Sequence, residues 1–268
     1  MVVRVLVLVG LALVSGVIAR ADDAPPAELV ITPVALRPRT SSTVDFVATL
    51  DLDFNFGGLP TVTSTRRTKK KKVEIRAVDP DGTVHKRITY LKLETNSVVD
   101  GERKKDPSAI RGKAYDVTWN GGIVDVRLPG GKPANAEEVA EVRGEEGALQ
   151  APEVMSKLLA GVRLVQDQPF EVPVATLDSM VKGDYRPRRI VVTYRGKASD
   201  GERVDAEAAL AKEGEGLKMF LDLDVKLVLD ATGWCRSAKV AAKVRAELKG
   251  TVVGSGAGTA SVVATPLR

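Results

Sequence analysis

The stretch LKMFLDLDVKLVLDATGWCRSAKVAAKVRAELK, residues 217–249, holds a period of two almost without error and decides the fold class. Leu217, Met219, Leu221, Leu223, Val225, Leu227 and Leu229 are apolar, whereas Lys218, Asp222, Asp224, Lys226 and Asp230 lie between them. After Asp230-Ala231-Thr232-Gly233 the pattern resumes on even numbers: Ala238, Val240, Ala242, Val244, Ala246 and Leu248 alternate with Ser237, Lys239, Lys243, Arg245, Glu247 and Lys249. Two strands with one buried face each are the reading. Pairing Leu229 with Trp234 across the four-residue loop sets odd positions against even ones throughout, and a one-residue slip would bury Asp222 and Asp224.

Upstream, Val44 to Phe56 alternates in the same way. Val44, Phe46, Ala48, Leu50, Leu52, Phe54 and Phe56 share one face, and Asp45, Thr49, Asp51, Asp53 and Asn55 the other, until Gly57-Gly58-Leu59-Pro60 ends the strand. Val73–Val78, Asp79-Pro80-Asp81-Gly82 and Thr83–Leu93 predict a hairpin with Val73 facing Ile88, Glu74 facing Arg87 and Ala77 facing Val84. Asn120-Gly121 predicts another, with Val117 against Val124, Tyr115 against Val126, and Trp119 as a lid on the core edge. Asp200-Gly201 joins Arg188–Lys197 to Arg203–Lys212. The tetrad Asp-Gly-Glu-Arg occurs at 100–103 and 200–203, which reads as two hairpins meeting the same turn requirement or as a remnant of duplication. The tail Thr251–Thr265, with glycines 254, 256 and 258 in its middle, predicts one last short strand after a turn.

Between the two strand sets the period shifts to 3.6. Asn135 with Glu138 is a capping-box pattern that opens a short acidic helix, Ala136 to Arg143. Pro152 opens a second, with Val154, Met155, Leu158, Leu159 and Val162 on one face, and Thr176 to Lys182 gives a third. The class is therefore α+β and mostly antiparallel β. It is a long curved sheet of about 8 to 11 strands, half-barrel-like, with two or three short helices inserted mid-chain and packed on the concave face. Strands of about 13 residues would reach roughly 44 Å, which requires the sheet to coil.

Residues 1–21 read as an export signal: Arg4, an apolar run from Val5 to Ile18, then Ala19-Arg20-Ala21. That run is shorter than the roughly 20 helical residues that span a bilayer, so no transmembrane segment is expected once the signal is removed, and the location is the periplasm or the exterior. Residues 22–43, with prolines at 25, 26, 33 and 38, form an N-terminal segment in which Glu28–Thr32 can make a short strand. Residues 44–268 then form one β-rich domain, with strand sets at 44–128 and 188–265 around a helical insert at 135–182.

Removing Arg4 and Arg20 lowers the formal net charge from +5 to +3, so the basic balance is no argument for polyanions. Cys235 is the one cysteine, and an exported chain of this kind holds itself by its core and not by internal disulfides. Arg66, Arg67, Lys69, Lys70, Lys71 and Lys72 form the densest basic run. It reads as a patch for an anionic surface, or as a loop and edge made soluble by lysine. No aromatics interleave it, which argues against nucleic acid.

His85 is the only histidine and is expected to be exposed and unpartnered opposite Arg76, which leaves nucleophilic triads without a base. Catalytic residues, metal ligands and cofactors are accordingly not assigned. Asp51 with Asp53 and Asp222 with Asp224 are the carboxylate pairs an enzyme would have to use.

The layout is similar to the half-barrel of the lipoprotein carriers LolA and LolB of bacterial envelopes. Phe220–Asp230, Thr232-Gly233 and Trp234–Lys249 resemble the long strand, Asp-x-x-Gly turn and second strand in the C-terminal half of exported bacterial proteins of unknown function. The resemblance implies a non-enzymatic binding or carrier protein for a hydrophobic or lipidated ligand, and carries over no functional residues. The apolar faces themselves offer a cavity between Met155, Leu158, Leu159 and Met180 on the helices and Leu221, Leu223 and Val225 on the sheet, or the same side chains fill the core. The alternative is a structural protein that contacts an envelope protein or an anionic surface.

Overall fold

The computed structural model describes residues 17–19, 27–32, 38–56, 59–120, 123–146, 162–173, 186–214, 216–229 and 235–267. The helices expected at 152–162 and 176–182, and with them Met155, Leu158, Leu159 and Met180, lie outside these. Fifteen strands follow one another: β1 (Val17–Ala19), β2 (Glu28–Thr32), β3 (Ser41–Phe56), β4 (Leu59–Val78), β5 (Val84–Val99), β6 (Glu102–Asp106), β7 (Ala114–Trp119), β8 (Ile123–Arg127), β9 (Arg163–Val165), β10 (Pro169–Glu171), β11 (Arg186–Ala198), β12 (Gly201–Gly214), β13 (Leu217–Leu229), β14 (Cys235–Leu248) and β15 (Thr251–Leu267). Among the described residues one helix, α1 (Ala136–Glu146), stands between β8 and β9.

Twelve strands make one antiparallel, curved, open sheet in the order β10-β11-β12-β13-β14-β15-β3-β4-β5-β7-β8, with β6 paired to the far end of β5. Two meanders are fused where β15 pairs with β3, from Gly254 opposite Phe54 to Leu267 opposite Ser41. The terminal strands β10 and β8 do not pair with each other, so the sheet is not a closed barrel. A separate three-stranded sheet, β1-β2-β9, adds Leu29 and Leu164 to the main core.

Alternation sets the inner face as expected. Leu221, Leu223, Val225, Leu227 and Leu229 are buried with Ala238, Val240, Ala242, Val244 and Ala246, while Asp222 and Asp224 face out. Burying each Leu or Val contributes ~1.5–3 kcal/mol, and this face carries many of them. The register is longer than read: Leu229 pairs with Cys235, one residue on, and beyond the shift the pairs lie two residues on, Leu227 with Ala238, which restores the expected parity. A shift next to Leu229 leaves Arg236 without a partner in the ladder, and an extra residue there advances every later pair while returning each side chain to its face. The β7–β8 hairpin shows the same displacement, with Val117 opposite Val126. On β4, Arg76 is the extra residue, so Ala77 falls opposite His85 and Val78 opposite Val84, while Val73–Ile88 and Glu74–Arg87 stand as read.

Two segments differ from expectation. The glycine-rich tail is no turn but the interior of the 17-residue β15, paired on both sides. The run 66–72 is neither loop nor edge; it is the middle of the 20-residue β4, between β3 and β5.

The first predicted helix begins at the predicted cap. The Glu138 amide donates to Asn135 Oδ1 at 2.8 Å and the Asn135 amide donates to Glu138 Oε2 at 3.1 Å, a reciprocal capping box. The helix runs past Arg143 to Glu146 and sets Val139 and Val142 among Ile88, Tyr90, Ile110, Tyr115, Val117 and Val126. The repeated Asp-Gly turns are not the same turn. Asp100 and Gly101 both have positive φ, 50° and 85°, whereas at the second site only Gly201 does, at 144°.

Candidate functional site

The inner face of β14 and β15 is built largely from alanine and glycine, with Val240, Val244 and Val262 among them. Across the ladder, Ala246 meets Gly254, Ala242 meets Gly258, and Val240 meets Ala260. Beyond them rise larger side chains, Leu221, Leu223 and Val225 of β13 on one side and Phe46, Leu50, Leu52 and Phe54 of β3 on the other. Strand spacing puts these walls roughly 14 Å apart, and the floor from Ala238 to Ala246 runs roughly 27 Å. Glycine is required at one end of it. A Cβ on Gly254 would run into the Phe54 ring, and one on Gly256 would run first into the Asp51 backbone carbonyl and then into a Leu52 methyl. Phe54 and Leu52 therefore lean onto the glycine backbone. Leu29, Leu164, Phe170 and Val172 pack into the same cluster.

Next to this floor the inner face turns from apolar to charged within one strand spacing. Phe46 pairs with Lys69, Ala48 with Arg67, and Val44 with Lys71. Lys69 has no solvent exposure, and Arg67 and Lys71 are buried beside it. Period two turns every second cation of the run inward. The outward members are Lys70, 3.3 Å from Asp45, and Lys72, 2.7 Å from Glu74, with Arg66 exposed. The six cations thus do not present one cationic surface: Arg67, Lys69 and Lys71 are enclosed, and Lys70 and Lys72 are paired.

Their acceptors come from the last turn of α1. Arg67 pairs with Glu145, Lys69 Nζ lies 3.3 Å from the same carboxylate, and Lys71 Nζ donates to both oxygens of Glu146 at 2.6 and 2.7 Å. Tyr90 Oη donates to Glu146 at 3.0 Å. Carboxylates at a helix C-terminus oppose its dipole, and these cations offset that. Burial, reinforced by Lys71, lowers the Lys69 ammonium to about 8 against the opposing pull of Glu145 and Glu146. Burial likewise lowers Lys86, which Glu146 partly restores. Burial pushes Glu146 upward, but Lys71, Lys86 and Lys69 outweigh it and hold that carboxyl below its usual range. Among the described residues four cations therefore surround two carboxylates here, and the Nε of Arg67 is buried with no acceptor.

None of Lys86, Tyr90, Glu145 or Glu146 stood out in the sequence. The one available signal was Glu145-Glu146 at the end of a helix, where acids are unfavourable unless cations meet them.

On the outer face His85 is not unpartnered. Its Nε2 lies 2.8 Å from Asp79 Oδ2 and its Nδ1 3.4 Å from Thr118 Oγ1, beside a shallow 280 Å³ depression lined by Arg76, Arg87 and Asp116. Arg87 spends its guanidinium on Asp116 in two bonds of 2.7 and 2.8 Å. Asp51, Asp53, Asp222 and Asp224 are all exposed. Asp51 and Asp222 lie in one cross-sheet row three strands apart, roughly 14 Å, too far to share a proton or cation. Among the described residues no group of three or more His, Cys, Asp or Glu is placed to hold a metal, and no helix is long and apolar enough to cross a membrane.

Neither a protein-family model nor a curated protein matches the sequence. Among solved structures, one of lipid–protein interactions in lipovitellin is similar at a TM-score of 0.46 and 10% identity, over 87% of this chain and 26% of that one. This chain thus spans about a quarter of the lipovitellin chain. DynF from the dynemicin biosynthesis pathway of Micromonospora chersina gives 0.25 and 6% identity, over 93% and 94% of the two chains. An outer membrane channel from Pseudomonas putida gives 0.22 and 8% identity, over 91% and 100%.

Proposed function

We propose that the chain is a non-enzymatic binding or carrier protein that takes a hydrophobic or lipidated ligand against the inner face of β14 and β15, and that it acts after export, in the periplasm or outside the cell. The observation that carries this reading is the floor of alanine and glycine between walls of leucine and phenylalanine. A face serving only as a compact core packs large side chains from neighbouring strands into one another, because each missing methylene in a close-packed interior is costly. Two adjacent strands rich in alanine and glycine instead make a low strip, which the chain keeps buried, and a slender apolar molecule would occupy it by displacing the side chains packed above it. Leu221, Leu223 and Val225 of β13, buried in the same core cluster, would stand along one edge of this site.

Native mass spectrometry of the chain purified without detergent tests the reading. The expected result is an apolar molecule retained in one-to-one ratio and recovered by solvent extraction. A spectrum of bare protein that also fails to take up dodecanoate would overturn it and favour the alternative, a structural protein of the envelope whose inner face is filled by its own side chains.

A further inference from the structure

The apolar floor and the buried cations are neighbours on one continuous face. Ala260 of the floor pairs with Ala48, and Ala48 with Arg67; Val262 pairs with Phe46, and Phe46 with Lys69. Two strand spacings, roughly 10 Å, thus separate the middle of the floor from the guanidinium-bearing strand. Lys69 Nζ reaches back over this boundary and lies 5.8 Å from the centre of the Phe46 ring.

Among the described residues the cation side of that boundary holds more cations than carboxylates. Arg67 and Lys69 share the single carboxylate of Glu145, and Lys86, on the same inner face, adds a further cation near Glu146. Arg67 uses one side of its planar fork, Nη2, on Glu145, while its Nε is enclosed without an acceptor. A guanidinium offers parallel donors suited to a second bidentate anion, and a buried donor left unsatisfied is costly. Burial of cations in excess of anions carries the same cost, which an added anion relieves. The lowered affinity of Lys69 for its proton agrees with that surplus.

We infer that the ligand is an anionic amphiphile: a single apolar tail on the alanine–glycine floor and a carboxylate or phosphate head received by Arg67 Nε and Lys69 Nζ. This rests on the binding reading above and adds the class of ligand. Lys69 has no solvent exposure, and Phe46, Ala48, Ala260 and Val262 between it and the floor are buried as well, so the head group enters from the inner face by displacing side chains there. An ordinary surface anion site would put its cations in water; here they stand at the end of an apolar bed, which selects for a molecule that has both parts.

Calorimetric titration of the full chain with dodecanoate, with dodecan-1-ol and with inorganic phosphate tests it. Dodecanoate is expected to bind at least about tenfold more tightly than the alcohol, the worth of a charge-assisted hydrogen bond, and phosphate not measurably. Arg67→Met and Lys69→Met should each erase the preference for the acid while leaving the alcohol bound. Equal affinity for acid and alcohol would overturn the inference and leave the binding reading standing. Phosphate binding as tightly as dodecanoate would overturn it in favour of a free-anion site, and failure of acid and alcohol alike would sink both readings. Should either variant fail to fold, the acid-to-alcohol ratio of the unaltered protein decides alone.

Discussion

Lys71 Nζ sits 2.6 and 2.7 Å from the two carboxylate oxygens of Glu146, with both side chains almost wholly enclosed, whereas Lys69, two residues away on the same face, shares its carboxylate with Arg67 at 3.3 Å. Identical residue types on one strand thus stand in opposite electrostatic positions. Lys71→Met deprives a buried carboxylate of its closest cation and should destabilise by ~3 kcal/mol in urea unfolding. Lys69→Met removes a charge from a surplus and keeps the volume, so it should be neutral or stabilising. Equal losses in the two variants would show that the cluster is balanced pair by pair.

Stability should rise with pH in the alkaline range. The folded state holds the Lys69 ammonium at about 8 against an ordinary value of 10.5, so between these values the unfolded chain binds more protons than the folded one. The slope of unfolding free energy with pH is then positive, and the gain is at most ~3 kcal/mol. Lys86, lowered in the same direction, adds to it. The urea midpoint should climb between about pH 8 and pH 10, and the climb should shrink in Lys69→Met. A midpoint that is flat or falls over that range contradicts the surplus of buried cations.

Phe54 and Gly254 should be energetically coupled. Gly254→Ala places a methyl where the ring lies and should cost ~1–3 kcal/mol, as overpacking does. With Phe54→Leu already in place, the same alanine should cost much less, since the ring is gone. A double-mutant cycle measures the difference, and additive effects would mean that the glycine serves only the backbone.

Two substitutions in α1 should move stability in opposite directions. Asn135→Ala removes the cap and should cost about 1 kcal/mol. Gly144 has ordinary helical φ and open space at its Cβ, so Gly144→Ala should stabilise by about 0.5–1 kcal/mol through helix propensity. Thermal unfolding of the two variants against the parent checks both.

What could be read in the sequence was the facing of each strand, and what could not was distance along it. Leu221 to Leu229 and Ala238 to Ala246 declared their inner faces because polar neighbours alternate with them. Partners from Val228 onward were displaced by two residues, one because Leu229 closes on Cys235 and not Trp234 and one because Arg236 is an extra residue, and neither has a signature in hydrophobic pattern. The run 66–72 concealed its inward half because it is almost wholly charged, so period two has no contrast to show. Its partners Glu145 and Glu146 are more than seventy residues away, and only the fold brings them together. Glycines 254, 256 and 258 read as a turn for a related cause: a glycine that yields its space to Phe54 looks, in one dimension, like a glycine that bends the chain.

The most direct measurement on the ligand site is the nuclear Overhauser spectrum between alanine methyls of the protein and the methylenes of bound dodecanoate. Cross-peaks from Ala238, Ala242 and Ala260 to the ligand chain are the predicted result. Cross-peaks confined to residues off the inner face of β14 and β15, or a saturated protein showing none to these three alanines, would contradict it.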